Sequence, residues 1–132
     1  MTDITDIAQR WVDVFNAKDV DLWDDFVAQD AVNHAPLMGP TPGIKGFKER
    51  GQAIITGFPD CACQVADAFA DGEKLVFRWI LEGHQNGPFM GQEPSGKFVH
   101  MEGINIEYVR DGMVREHWSF PNLLEVVHQL KD

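Results

Sequence analysis

Residues 74–84, Lys-Leu-Val-Phe-Arg-Trp-Ile-Leu-Glu-Gly-His, alternate apolar and mixed positions along their whole length. Leu75, Phe77, Trp79 and Leu81 fall on one face, and Val76, Arg78, Ile80, Glu82 and His84 on the other, as in a strand with one face toward a core. Downstream, Phe98 to Arg110 and Met113 to Phe120 read as two further strands. Asp71-Gly72 and Asp111-Gly112 stand between strand segments, and Asp-Gly favours two-residue hairpin turns because it tolerates positive φ. The second half of the chain is therefore an antiparallel meander. Gln85 to Gly96, with Gly and Pro at intervals, links its two longest strands.

Upstream the period changes. Thr5 is placed to cap a helix in which Ile7, Trp11, Val14 and Phe15 share one apolar stripe. Asp21 is expected to cap a shorter helix with Leu22, Trp23, Phe26 and Val27 on its inner side. The stretch from Pro36 to Gly46 reads as a loop from its prolines and glycines. A third helix runs from about Gly43 to Gly57, carrying Ile44, Phe47, Ile54 and Ile55, and Pro59 ends it. A last helix begins at Asn122, with Asn122 and Glu125 as a capping-box variant and Leu123, Val127 and Leu130 on one face. Helices, then a meander, then a closing helix make an α+β layout. Glycines at Gly83 and Gly103 let long strands bend around the first helix, leaving a concave face that helices close into an apolar pocket.

The chain has 132 residues, 44% of them hydrophobic and 24% charged, which is the composition of one globular domain over residues 1–132. Twenty-one acidic against eleven basic side chains give a net charge of -10, which opposes binding to nucleic acid or anionic lipid. Cys61 and Cys63 have neither redox-motif nor zinc-pair spacing and read as small apolar fillers. The first residues, MTDITDIAQR, show neither a cationic segment nor an apolar core of a signal peptide. No apolar run approaches the roughly 18 residues of a membrane span. A soluble, cytoplasmic, reduced protein is expected. Five scattered histidines lack metal-site clustering, so no metal is expected.

The runs Phe89-Met90-Gly91-Gln92-Glu93-Pro94-Ser95-Gly96-Lys97 and Tyr108-Val109-Arg110-Asp111-Gly112-Met113-Val114-Arg115-Glu116-His117-Trp118 resemble the SnoaL-like polyketide cyclases, or ester cyclases, of the NTF2-like superfamily. Val14-Phe15-Asn16, Val32-Asn33-His34, Phe58-Pro59-Asp60 and Gln129-Leu130 extend the resemblance over nearly the whole chain. It implies a cone of three amino-terminal helices wrapped by a curved, mainly antiparallel sheet of four to six strands, enclosing an apolar pocket. It also implies a homodimer through the open sheet face, where Val76, Ile80, Ile104 and Ile106 offer apolar area. The implied chemistry is cofactor-independent: aldol cyclisation, isomerisation or hydration of a small apolar carbonyl compound. The family's Asp acid/base matches Ser119, its histidine on the preceding strand matches Asn105, and its nearby glutamine matches Gly103.

A serine hydroxyl cannot abstract a carbon-bound proton without an activating partner. His117 shares strand parity with Ser119 and Arg115, so all three are expected to point the same way, and His117 becomes the candidate base. The other reading of His117 is a histidine hydrogen-bonded across the sheet. Asn33, His34, Asn105 and Ser119 are the candidate ligand-binding polar residues, with Trp11, Phe15 and Trp79 as apolar walls. His100 and Glu102 have the opposite parity and are expected to pair on the outer face, with His84 and His128 at the surface. Two functions are open: an acid/base enzyme, or a non-catalytic module that keeps the pocket and binds a small ligand.

Overall fold

Four strands of the meander and one earlier strand make a single sheet in the computed structural model, which describes residues 3–35 and 41–131. The elements in order are α1 (Asp6–Ala17), a 3-10 turn (Val20–Asp25), β1 (Val27–Asn33), α2 (Gly43–Gly57), β2 (Ala62–Asp71), β3 (Lys74–His84), β4 (Phe98–Arg110), β5 (Met113–Pro121) and α3 (Leu123–Leu130). Spatial order is β1-β5-β4-β3-β2, antiparallel throughout except for β1, which pairs parallel with β5. The sheet is curved, mixed and unclosed, with the helices on its concave side.

The alternation of residues 74–84 is the burial pattern of β3: Leu75, Phe77, Trp79 and Leu81 are buried, as are Val99, Met101 and Val109 on β4. Against them α1 presses Ile7, Trp11, Val12, Val14 and Phe15, and α2 adds Ile44, Phe47 and Ile55. Asn16, just past that stripe, ties α1 to the edge strand. Its Nδ2 donates to Cys63 O (2.9 Å) and its Oδ1 accepts from Cys63 N (2.7 Å). Two backbone groups of β2 are thereby satisfied on the side where no further strand pairs.

Several local expectations are corrected. Asp19, not Asp21, caps the 3-10 turn, its carboxylate accepting from Asp21 N at 3.0 Å. That turn ends at Asp25, and Val27 already belongs to β1. Thr5 sits at the start of α1 but makes no side-chain cap, and the Asp3 carboxylate accepts from Thr5 N instead. Asn122 likewise makes no helix cap; its Oδ1 accepts from Glu102 N at 3.0 Å, stitching the end of β5 to β4. On α3 it is Val126, not Val127, that is buried with Leu130. The Pro/Gly stretch gives way to helix at Gly43, and its residues 36–40 lie outside the described residues.

The Asp111-Gly112 turn sets the phase of β5 against β4. Both residues have positive φ (55° and 74°), the type I′ geometry, and they set Arg110 opposite Met113 and Val109 opposite Val114. The register then slips by one, so that Tyr108 faces Glu116. Arg115 is the extra residue of a β-bulge. It is exposed, whereas Val114 and His117 on either side are both buried. The expectation that Arg115 points the same way as His117 and Ser119 therefore fails, because a bulge inverts strand parity on either side of itself.

Candidate active site

Beyond the bulge, β5 presents His117 and Ser119 to the concave side. The shifted register places His117 opposite Glu107 and Ser119 opposite Asn105 on β4, while β1 brings Asn33 opposite His117. Asn33, His117 and Glu107 thus form one row across three strands, and Ser119 and Asn105 form the next. A cavity of about 270 Å³ lies over these rows. Trp11, Phe15, Trp79, Asn33, Asn105, His117 and Ser119 all line it, together with Trp23, Phe47 and Arg50.

His34 does not. Its ring stacks on Trp118 (4.4 Å between centroids, 17°) and its Nε2 lies 3.0 Å from the Glu116 carboxylate, on the outer side of the sheet. Asn33 and His34 are adjacent in extended chain, so one facing in sends the other out.

Glu107, which the sequence does not single out, proves central. It is fully buried, and both its carboxylate oxygens contact His117 Nδ1, Oε2 at 2.9 Å and Oε1 closer. Burial pushes the Glu107 carboxyl up to about 6, against the opposing pull of the histidine charge and hydrogen bond. When Glu107 is ionised it accepts the Nδ1–H and fixes the tautomer whose Nε2 carries a lone pair. That Nε2 has no partner among the described residues. The imidazole lies against Trp11 (4.8 Å, 14°) and tilts against Phe47 (5.0 Å), two apolar rings that hold its plane.

The neighbouring row supplies donors. Trp79 Nε1 donates to Asn105 Oδ1 at 2.9 Å. Because an indole N–H can only donate, the contact assigns the Asn105 amide and leaves its Nδ2 as a donor on the cavity wall. Gly103 makes this possible: a Cβ there would come within 2.6 Å of Trp79 Cζ2. The indole edge of Trp79 thus fills the space over Gly103. Asn33 Oδ1 accepts from Ala35 N (2.8 Å), while its Nδ2 is occluded without an acceptor among the described residues, as is Trp23 Nε1. Buried donors of this kind are uncommon and call for explanation. Cys63 also lines the cavity, but burial pushes its thiol up to about 12, so it is inert at neutral pH. Among the described residues no cluster of three His, Cys, Asp or Glu is placed to hold a metal ion. None of their helices is long and apolar enough to cross a membrane.

Helices packed into the concave side of a curved mixed sheet, with a polar-floored apolar cavity between them, make this an NTF2-like α+β cone. The SnoaL-like polyketide cyclase profile matches residues 5–130, and the chain belongs to that family. Among solved structures it is similar to wild-type IdmH of Streptomyces antibioticus, described as a candidate polyketide cyclase. Identity there is 29% with a TM-score of 0.83, over 96% of this chain and 97% of that one. A candidate SnoaL-like polyketide cyclase from Jannaschia sp. CCS1 matches at 25% identity and a TM-score of 0.83, covering 93% and 88% of the two chains. TsrD from Streptomyces laurentii shares the fold at a TM-score of 0.87 and 24% identity, covering 99% and 98%. No curated protein matches by sequence.

Proposed function

We propose that the cavity performs cofactor-independent acid/base chemistry on a small, apolar, carbonyl-bearing compound, with His117 as the base and Glu107 as the residue that orients it. The observation that carries this reading is the buried Glu107–His117 pair at the cavity wall, with no partner for Nε2 among the described residues. In the forward step Nε2 takes a proton from the carbon next to a carbonyl, the C–H pair moves into the enolate, and Glu107 stabilises the imidazolium. Asn105 Nδ2 and the Ser119 hydroxyl donate to the enolate oxygen, with Asn33 beside them. In an aldol closure the enolate carbon then attacks a second carbonyl, forming the C–C bond, and the imidazolium returns the proton to the new alkoxide. The acid/base group thus stands one row away from the position, Ser119, that matches the family's Asp, and a Glu–His pair replaces that carboxylate.

Deuterium uptake at the α-carbon tests this without knowledge of the natural substrate. Cyclic ketones and polyketide esters incubated with the protein in deuterated buffer are expected to exchange faster than in buffer alone. His117→Ala should slow that exchange by about 100-fold or more, the lower range of general acid/base catalysis. Binding without exchange across the panel would instead favour the non-catalytic module.

The same reading includes a homodimer through the outer sheet face. Val32, Ile104 and Phe120 are exposed there beside Trp118 and Ile106, an apolar patch that pairing would cover. Light scattering from a particle of single-chain mass would remove this part.

A further inference from the structure

Of the chain's 21 acidic side chains, none lines the cavity among the described residues; Glu107 stands behind His117. Residues 36–40, Pro-Leu-Met-Gly-Pro, carry no charge. The one fixed charge on the cavity wall among the described residues is Arg50, a cation in a protein of net charge -10. On α2 it follows Phe47 by one helical turn and precedes Gly51 and Ile54, all of which line the cavity. It also borders an open groove along the outer side of α2, where Lys45, Lys48, Glu49 and Thr56 are among the lining residues. Arg50 therefore stands at the mouth, where cavity meets solvent.

Of the cations nearby, Lys45 is exposed on the outer groove, and the others are engaged. Lys48 bridges Asp21 (3.0 Å) and Asp24 (2.8 Å), and Arg10 lies over the Phe26 ring. Arg50 is half-buried, and among the described residues no carboxylate, carbonyl or ring engages its guanidinium. Partial burial lowers its pKa, the sign of a charge held out of water without compensation. A guanidinium presents a planar fork of donors that matches a carboxylate with two parallel hydrogen bonds.

We infer that Arg50 selects ligands bearing a single carboxylate, holding that group at the mouth while the apolar body enters the cavity. The inference rests on the reading of this cavity as a ligand site and names the class of ligand it takes. A lone guanidinium balances one negative charge, which favours a carboxylate over a phosphate dianion. Its place at the solvated mouth, apart from the buried dyad, assigns it to recognition of the whole ligand and not to the developing enolate. Uniform binding of this kind appears in KM and leaves kcat unchanged.

Naphthoate, its methyl ester and naphthyl phosphate are probes of matched apolar bulk. Calorimetric titration of each into the full chain at neutral pH is expected to show naphthoate bound at least tenfold more tightly than the ester. Added salt should weaken the acid and leave the ester unchanged. In Arg50→Met the preference for the acid should vanish, and in Arg50→Lys it should shrink but persist, because the charge remains and the fork does not. Circular dichroism checks that both variants fold, and the lysine variant alone still decides the matter. Equal affinities for acid and ester, a preference that survives Arg50→Met, tighter binding of the phosphate, or no saturable naphthoate binding at millimolar concentration would each overturn the inference. The readout is binding, so absence of deuterium exchange leaves it standing. Conversely, exchange on neutral ketones with no acid preference removes it and spares the acid/base reading.

Discussion

The two faces of the β4–β5 hairpin carry the same chemistry in opposite settings. On the concave face Glu107 and His117 meet with side-chain exposures of 0% and 5%, sealed by Trp11 and Phe47. On the convex face His100 lies 3.0 Å from Glu82 and 2.9 Å from Glu102, and His34 lies 3.0 Å from Glu116, all about two-fifths exposed. Water sets the difference. Outside, solvent screens each pair, and such pairs contribute about 0–1 kcal/mol. Inside, desolvation raises the Glu107 carboxyl to about 6 and leaves the imidazole dependent on one partner. The same two residue types make a surface clasp in one place and a candidate acid/base device in the other.

Removing one carboxylate from each face should separate them most sharply. Glu107→Ala strips the buried imidazole of its partner and opens a void, and is expected to cost about 3 kcal/mol in urea unfolding, the low end for breaking a buried pair. Glu82→Ala should stay within about 1 kcal/mol. Equal losses would erase the distinction.

Activity should divide the faces next. Glu107→Gln keeps the shape but no longer stabilises the imidazolium, so α-carbon exchange should fall by roughly tenfold or more. Glu102→Gln should leave the exchange rate unchanged. With the wild type, exchange should decline as pH drops through an apparent value near 6, when the pair takes up a proton and the base loses its carboxylate.

A smaller effect is expected on stability against pH. Glu107 holds its proton to about pH 6 when folded, against an ordinary 4.5. Its favourable contribution is therefore complete below 4.5 and is lost as pH rises toward 6 and above. The stability difference between wild type and Glu107→Gln should fall with rising pH across that window; a flat difference would mean that burial does not perturb the group.

The smallest effect belongs outside. Glu82 and then Glu102 raise the His100 pKa, so His100 stabilises the fold below its ordinary pKa and loses that contribution as pH rises through the raised value. His100→Gln should shift acid-side melting by little, and by less still in high salt.

Parity along residues 74–84 and the Asp-Gly turns make β3, β4 and β5 legible, because a half-buried strand must alternate. The bounds of α2 follow from Gly43, Gly57 and Pro59. β1 is not legible: Gln29 and Asp30 interrupt its burial, and its stabilisation comes from pairing with distant β5. Glu107 leaves a faint signal, since it shares parity with Asn105 in an otherwise apolar row. Its partnership with His117 leaves none. A type I′ turn continued without interruption would set Glu107 opposite Glu116 and turn His117 outward; only the bulge at Arg115 reverses this. Arg50 escapes a sequence reading because helical spacing marks the apolar positions of a stripe, and an arginine at its border reads as surface.

That single supernumerary residue gives β5 something like a reading frame. Flatten the bulge so that Arg115 pairs with Tyr108, with the turn and β4 kept in place, and every downstream side chain changes sides: Glu116 and Trp118 would enter the cavity while His117 and Ser119 left it; delete Arg115 outright, and His117 stays opposite Glu107. No substitution at any one position could do as much. Among relatives that share this cone, a β5 of the same length without the bulge would exchange the interior and exterior alphabets wholesale, whereas one shorter by the bulge residue would keep them. Comparing relatives by strand phase, and not only by aligned residue identity, would then sort those that keep a base inside from those that carry the same letters on the outside.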